Sequence, residues 1–114
     1  MNAAAIERLR ALCGGPRDGA LLRFSLGNAL IAAAAPADAA IELRRAIEFD
    51  PAYSAAWKLL GRALLEAGDA VQARAAWCDG ITAARRAGDI QAQKEMQLFV
   101  RRLDKRAAIP RAVE

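Results

Sequence analysis

The chain repeats itself at an offset of 34 residues, and that regularity excludes most of the folds open to a chain of 114 residues. Leu26 aligns with Leu60, Gly27 with Gly61, Ala29 with Ala63, Leu30 with Leu64 and Ala39 with Ala73. Further on, large Leu43 meets Trp77, small Ala46 meets Gly80, and Ile47 meets Ile81. What recurs is a spaced alternation of large and very small side chains, which hydrophobicity alone does not produce. A period of this length marks a supersecondary unit that cannot bury its apolar face by itself and must stack on a neighbour.

The unit is helical. Ala is the commonest residue while Val and Thr are scarce, a balance that favours helices over strands. Gly and Pro recur where helices should stop, at Gly14-Gly15-Pro16, Pro36, Pro51, Gly68-Asp69 and Gly88-Asp89. This punctuation predicts six helices, near Ala3 to Leu12, Asp18 to Ala34, Ala37 to Phe49, Ser54 to Glu66, Ala70 to Arg86 and Ile90 to Arg106. The short connections imply antiparallel neighbours. At this length and 55% hydrophobic content, the chain supports one domain with a real core.

The second copy reads Trp57, Leu60-Gly61, Leu64, Ala73 and Trp77, with Gly80 and Arg85 at its end. The first reads Leu26-Gly27, Leu30, Ala39, Leu43, Ala46 and Pro51, with Arg23 where the second has Trp57. An aromatic, then Leu-Gly, a large residue, Ala, a large residue, Ala and a closing Pro is the pattern of the tetratricopeptide-repeat (TPR) family, which this chain resembles over about Ala20 to Arg86. The resemblance implies an all-α, right-handed helix-turn-helix solenoid. It places one repeat at 20–53 and a second at 54–87, flanked by a capping helix at 1–15 and another at 89–106, with a frayed tail at 107–114.

The small residues have a physical role in this scheme. Gly inside a helix costs about 1 kcal/mol relative to Ala, so Gly27 and Gly61 require an offsetting gain. Close approach of the paired helix supplies it, with Ala39 and Ala73 facing the glycines and Leu43 and Trp77 filling the space beside them. In the last helix Ala92, Met96, Phe99, Val100 and Leu103 fall on one stripe and the charges lie elsewhere, as expected of a cap with a solvated outer face. Ile6, Leu9 and Leu12 suggest a shorter cap at the other end.

The residue inventory argues against catalysis. His is absent, no Gly-rich phosphate loop follows a strand, and Ser25 and Ser54 have no base beside them in the pattern. Cys13 and Cys78 are too few and too far apart for a zinc cluster or disulfide framework, and read as reduced, partly buried thiols. No metal or cofactor is expected. No basic stretch precedes a long apolar core at the N-terminus, and no apolar run approaches the roughly 20 residues that span a bilayer, so a cytoplasmic protein is expected.

What the TPR resemblance implies about function is a protein or peptide partner held along the concave wall made by the first helix of each pair. By position, that wall presents Leu21, Phe24, Asn28 and Ile31 from the first pair, and Ala55, Lys58, Arg62 and Leu65 from the second. Asn28 with Lys58 and Arg62 suggests a basic and amide cluster suited to a segment carrying an acidic group. The plainer alternative leaves Lys58 and Arg62 solvated and packs Phe24 against a cap. Pairing into a homodimer through flat helix faces is a second alternative. A third comes from charge. The formal net charge is +4, and residues 1–56 are balanced at six basic and six acidic side chains, so the whole excess lies in the second half. The basic C-terminal stretch, Arg85 to Arg111, could meet nucleic acid or an acidic membrane surface, but no series of aromatic residues is interleaved with the charges for base stacking.

Overall fold

The computed structural model describes the backbone of residues 2–113 and the side chains of residues 3–107. Six helices follow one another: α1 (Asn2–Leu12), α2 (Ala20–Ala32), α3 (Pro36–Phe49), α4 (Ser54–Glu66), α5 (Ala70–Ala87) and α6 (Ile90–Val113). No strand occurs among the described residues. Each helix packs on the next, and α4 also touches α2 on one side and α6 on the other. The result is an all-α helical-repeat stack with an inner row of α2, α4 and α6 and an outer row of α3 and α5. The stack is an elongated slab of 52 × 32 × 17 Å.

Helix ends follow local chemistry. Asp69 Oδ1 accepts from the Gln72 N–H at 3.0 Å to cap α5, and Asp89 Oδ1 accepts from the Ala92 N–H at 3.1 Å to cap α6. Pro36 opens α3 at a position whose N–H has no helical partner anyway. Asp50 is extended, as the residue before a proline should be, and α3 stops there. The first helix of each repeat closes in the same way: the Ala35 N–H reaches Leu30 O at 2.8 Å after α2, and the Asp69 N–H reaches Leu64 O at 2.9 Å after α4.

The core is one cluster built from the predicted alternation. Leu26, Ala39, Leu43, Leu60, Ala63, Ala73 and Trp77 are all buried in it. A Cβ on Gly27 would lie 2.7 Å from Leu43 Cγ, and a Cβ on Gly61 would collide with the indole of Trp77, so each glycine admits the large residue of its partner helix. A Cβ on Gly80 would meet Met96 Sδ at 2.6 Å and Trp57 Cβ at 2.8 Å, which explains the loss of the alanine that Ala46 supplies in the first copy.

Three features differ from the sequence expectation. First, α2 begins at Ala20 because Asp18 is engaged in holding Arg23 and accepting from the Gly14 N–H at 2.8 Å. Second, Arg23 fills the space that Trp57 occupies in the second copy. It is buried, its Nε and Nη2 donate to Asp18 at 2.9 and 2.8 Å, and its Nη1 donates to Glu42 at 2.7 Å. Third, α6 runs on to Val113 through the segment expected to fray. Arg106, Ala107 and Ala108 are strong helix formers, and the helical backbone continues past Pro110, which has no N–H to donate to the preceding turn.

Candidate functional site

The inner row encloses an open groove of about 470 Å³, lined by Phe24, Asn28, Ala55, Lys58, Leu59, Arg62, Leu65, Trp77 and Phe99. Its floor is rigid because it is also core. The Trp77 Nε1–H donates to Lys58 O at 3.1 Å, and the indole lies 5.1 Å from the Phe99 ring, tilted by 48°. The same indole presses on Gly61. Three constraints therefore fix one ring: a glycine that lets it in, a carbonyl that satisfies its N–H, and an aromatic partner in an edge-biased contact. At the α2 end, Phe24 packs on Tyr53 with centroids 5.1 Å apart.

Of the residues expected on this wall, the structure brings together Phe24, Asn28, Ala55, Lys58, Arg62 and Leu65. It does not bring Leu21 or Ile31 to the groove. Leu21 is 69% exposed at the start of α2, and Ile31 turns against the core cluster. Pattern reading missed Leu59, Trp77 and Phe99. Leu59 lies beside Lys58 on the stripe that the repeat already defines, and a slightly wider stripe would have included it. Trp77 reaches through from the outer row because Gly61 leaves the inner wall open there. Phe99 reaches the groove because α6 takes the inner position next to α4, so the expected cap is also a wall.

The charge at the rim is largely compensated. Lys58 Nζ donates to Glu95 at 2.9 Å, joining α4 to α6, and Arg62 Nε donates to Glu66 at 2.8 Å within α4. Asn28 is exposed. The basic and amide cluster expected from the sequence is thus an amide beside two ion pairs, and exposed pairs of this kind contribute at most about 1 kcal/mol. A smaller depression continues the groove along α6, sharing Leu65, Trp77 and Phe99 and adding Arg102, Leu103 and Arg106. On the far side of α6, Arg74 makes a bidentate contact with Asp104 at 2.7 and 3.0 Å. That guanidinium holds the Asp104 carboxyl below its ordinary range.

No helix among the described residues is long and apolar enough to cross a membrane. Cys13 and Cys78 are free thiols, and burial pushes that of Cys13 up.

Comparison with known proteins agrees with this architecture. A family model described as tetratricopeptide repeat matches residues 42–75, a window that runs from within α3 through α4 into α5. The chain is 48% identical over 100 residues to the TPR repeat-containing protein PA0015 of Pseudomonas aeruginosa, covering 88% of this chain and 95% of that protein. The solution structure of protein BPP2914 from Bordetella parapertussis superposes with a TM-score of 0.78 at 44% identity, covering 91% of this chain and 90% of that one. TPR repeats generally mediate protein–protein interaction. With the repeat period, the glycine-mediated packing and these relatives in agreement, the chain belongs to the tetratricopeptide-repeat family.

Proposed function

We propose that this protein is a non-catalytic interaction module that holds a segment of a partner protein in the groove of its inner wall. The observation that carries this reading is the groove itself: a concave site of about 470 Å³ with Phe24, Leu59, Leu65, Trp77 and Phe99 as an apolar floor. A preformed apolar concavity with a few polar groups on its rim is how small folds accept large side chains from a ligand. The floor asks for two or three apolar anchors presented by one helix or extended segment.

Capture from cell extract by the intact protein, compared with two groove variants, tests this. Asn28→Trp fills the groove from an exposed rim position, and Leu59→Glu places a charge on its floor. Ile41→Glu, on the outer row, is the control. Proteins retained by the parent and by Ile41→Glu but lost from both groove variants support the reading, provided all variants melt cooperatively. Identical capture by all four proteins overturns it. Self-association is the competing reading, favoured by the exposure of Leu21 and Val71. Sedimentation over a concentration series decides that point, a constant monomer mass removing it.

A further inference from the structure

Where the groove runs along α6 toward its C-terminal half, its electrostatic character changes. At the N-terminal half of α6 the rim holds Lys58 with Glu95, and beside them Asp89 and Gln91, so acidic groups outnumber the one cation. Further along, Arg102 and Arg106 stand one helical turn apart next to Leu65, Trp77, Phe99 and Leu103. Both are exposed, and neither makes an ion pair among the described residues. Two like charges spaced i and i+4 repel by several tenths of a kcal/mol, so the fold gains nothing from them there. The cations that sequence pattern points to, Lys58 and Arg62, are already engaged by Glu95 and Glu66.

We propose that Arg102 and Arg106 form the anchoring subsite for carboxylate groups at one end of the bound segment, so that the groove selects a protein segment with apolar residues followed by acidic ones. This rests on the groove being the binding site. Charge complementarity carries it: an apolar floor ends at two uncompensated guanidinium groups, each able to take a carboxylate in a bidentate contact. It also sets direction, because the acidic end lies over the C-terminal half of α6, away from Asp89 and the Lys58–Glu95 pair. An apolar floor beside the arginines fits a peptide better than a phosphate backbone, which brings no apolar groups to bury.

The test is selection from a displayed library of random dodecapeptides on the intact protein, repeated with Arg102→Gln/Arg106→Gln and with Asn28→Trp. The expected outcome is enrichment of apolar residues flanked on one side by Asp or Glu. Individual selected peptides should bind the double variant about tenfold more weakly, the scale of one lost charge-assisted contact, and should tolerate Arg85→Gln, which removes an exposed arginine outside the groove. Selection of apolar peptides with no acidic flank, or affinities unchanged in the double variant, overturns the inference and leaves the groove reading intact. Peptides that bind Asn28→Trp as well as the parent, or no selection at all, remove the groove reading and this inference with it. Salt-sensitive binding of a single-stranded oligonucleotide through the same arginines, in place of peptide selection, would assign the pair to nucleic acid and overturn the proposal as well.

Discussion

The two repeats use one architecture with different materials. In the second, α4 and α5 meet through Gly61 and the rigid indole of Trp77, Trp57 fills the space above Gly80, and Gly68 takes the left-handed position after α4 with φ +90°. In the first, α2 and α3 meet through Gly27 and the flexible Leu43, Arg23 fills the corresponding space as a buried ion network, and Ala34 takes the left-handed position with φ +60°. The second repeat is an apolar lock with a low-strain turn. The first is electrostatically held and carries local strain. The same backbone path can therefore be specified by two different force balances, and each should fail in its own way.

The largest expected difference follows from Arg23. Arg23→Met leaves the partly buried Asp18 and Glu42 carboxylates without their shared cation, and the resulting loss of stability should exceed that of Gly61→Ala or Gly68→Ala. Chemical denaturation followed by far-ultraviolet circular dichroism measures it. Trp57→Leu, at the matching position, loses packing and the hydrogen bond that Nε1–H donates to Pro51 O at 2.8 Å, strands no charge, and should cost less. The network also has a pH signature. The Arg23 guanidinium and the Gly14 N–H hold the Asp18 carboxyl well below the usual carboxylate range. A depressed folded-state pKa contributes stability that is fully present above the unfolded value of about 4. That contribution is lost as pH falls from there through the lower folded value. The stability advantage of the parent over Asp18→Asn should be constant near neutrality and shrink below about pH 4. An advantage that persists unchanged into strong acid would show that the carboxylate is not what holds Arg23.

Next in size is the glycine pair. Gly61→Ala drives a methyl into an indole that cannot turn away, and should cost about 2–3 kcal/mol despite the better helix propensity of Ala. In Gly27→Ala the side chain of Leu43 can change rotamer, and the net loss should stay within about 1 kcal/mol. Equal losses at the two sites would mean that Trp77 is less tightly held than its three contacts imply. The smallest effect reverses sign between repeats. Ala34→Gly relieves a left-handed alanine and should stabilise by about 0.5 kcal/mol, whereas Gly68→Ala should destabilise by about 1 kcal/mol. Thermal melting of the two single variants, each against the parent, is sufficient to read the opposite directions.

Much of this was legible before any coordinates, because it depends on periodicity and residue size. The repeat marks Gly27 and Gly61 as points of close helix approach, although the side chains that enter there are Leu43 and Trp77 rather than the expected Ala39 and Ala73, and the stops at Pro51, Gly68 and Gly88 are local chemistry. What was not legible depends on which side chains meet across helices. Arg23 looked like a defect in the pattern, since nothing local shows that Asp18 and Glu42 close around it. Lys58 and Glu95 lie on different helices, so the neutralisation of the rim was hidden and the basic cluster looked stronger than it is. Of the groove, the repeat indicates the near wall, from Phe24 to Leu65. The part built from Trp77 and Phe99 requires knowing that α6 stands in the inner row.

The fate of the Trp77 ring separates what can change in this molecule from what cannot. A ring that closes the interior and also paves the groove cannot be altered for a new ligand without loosening the fold, and the same is true of Gly61 beneath it. Asn28, Arg62, Arg102 and Arg106 are exposed and carry little of the stability. Related chains built this way can therefore diverge in what they recognise by exchanging rim residues over a shared floor. A redesign of specificity has to begin at those four positions, leaving the aromatic pair untouched.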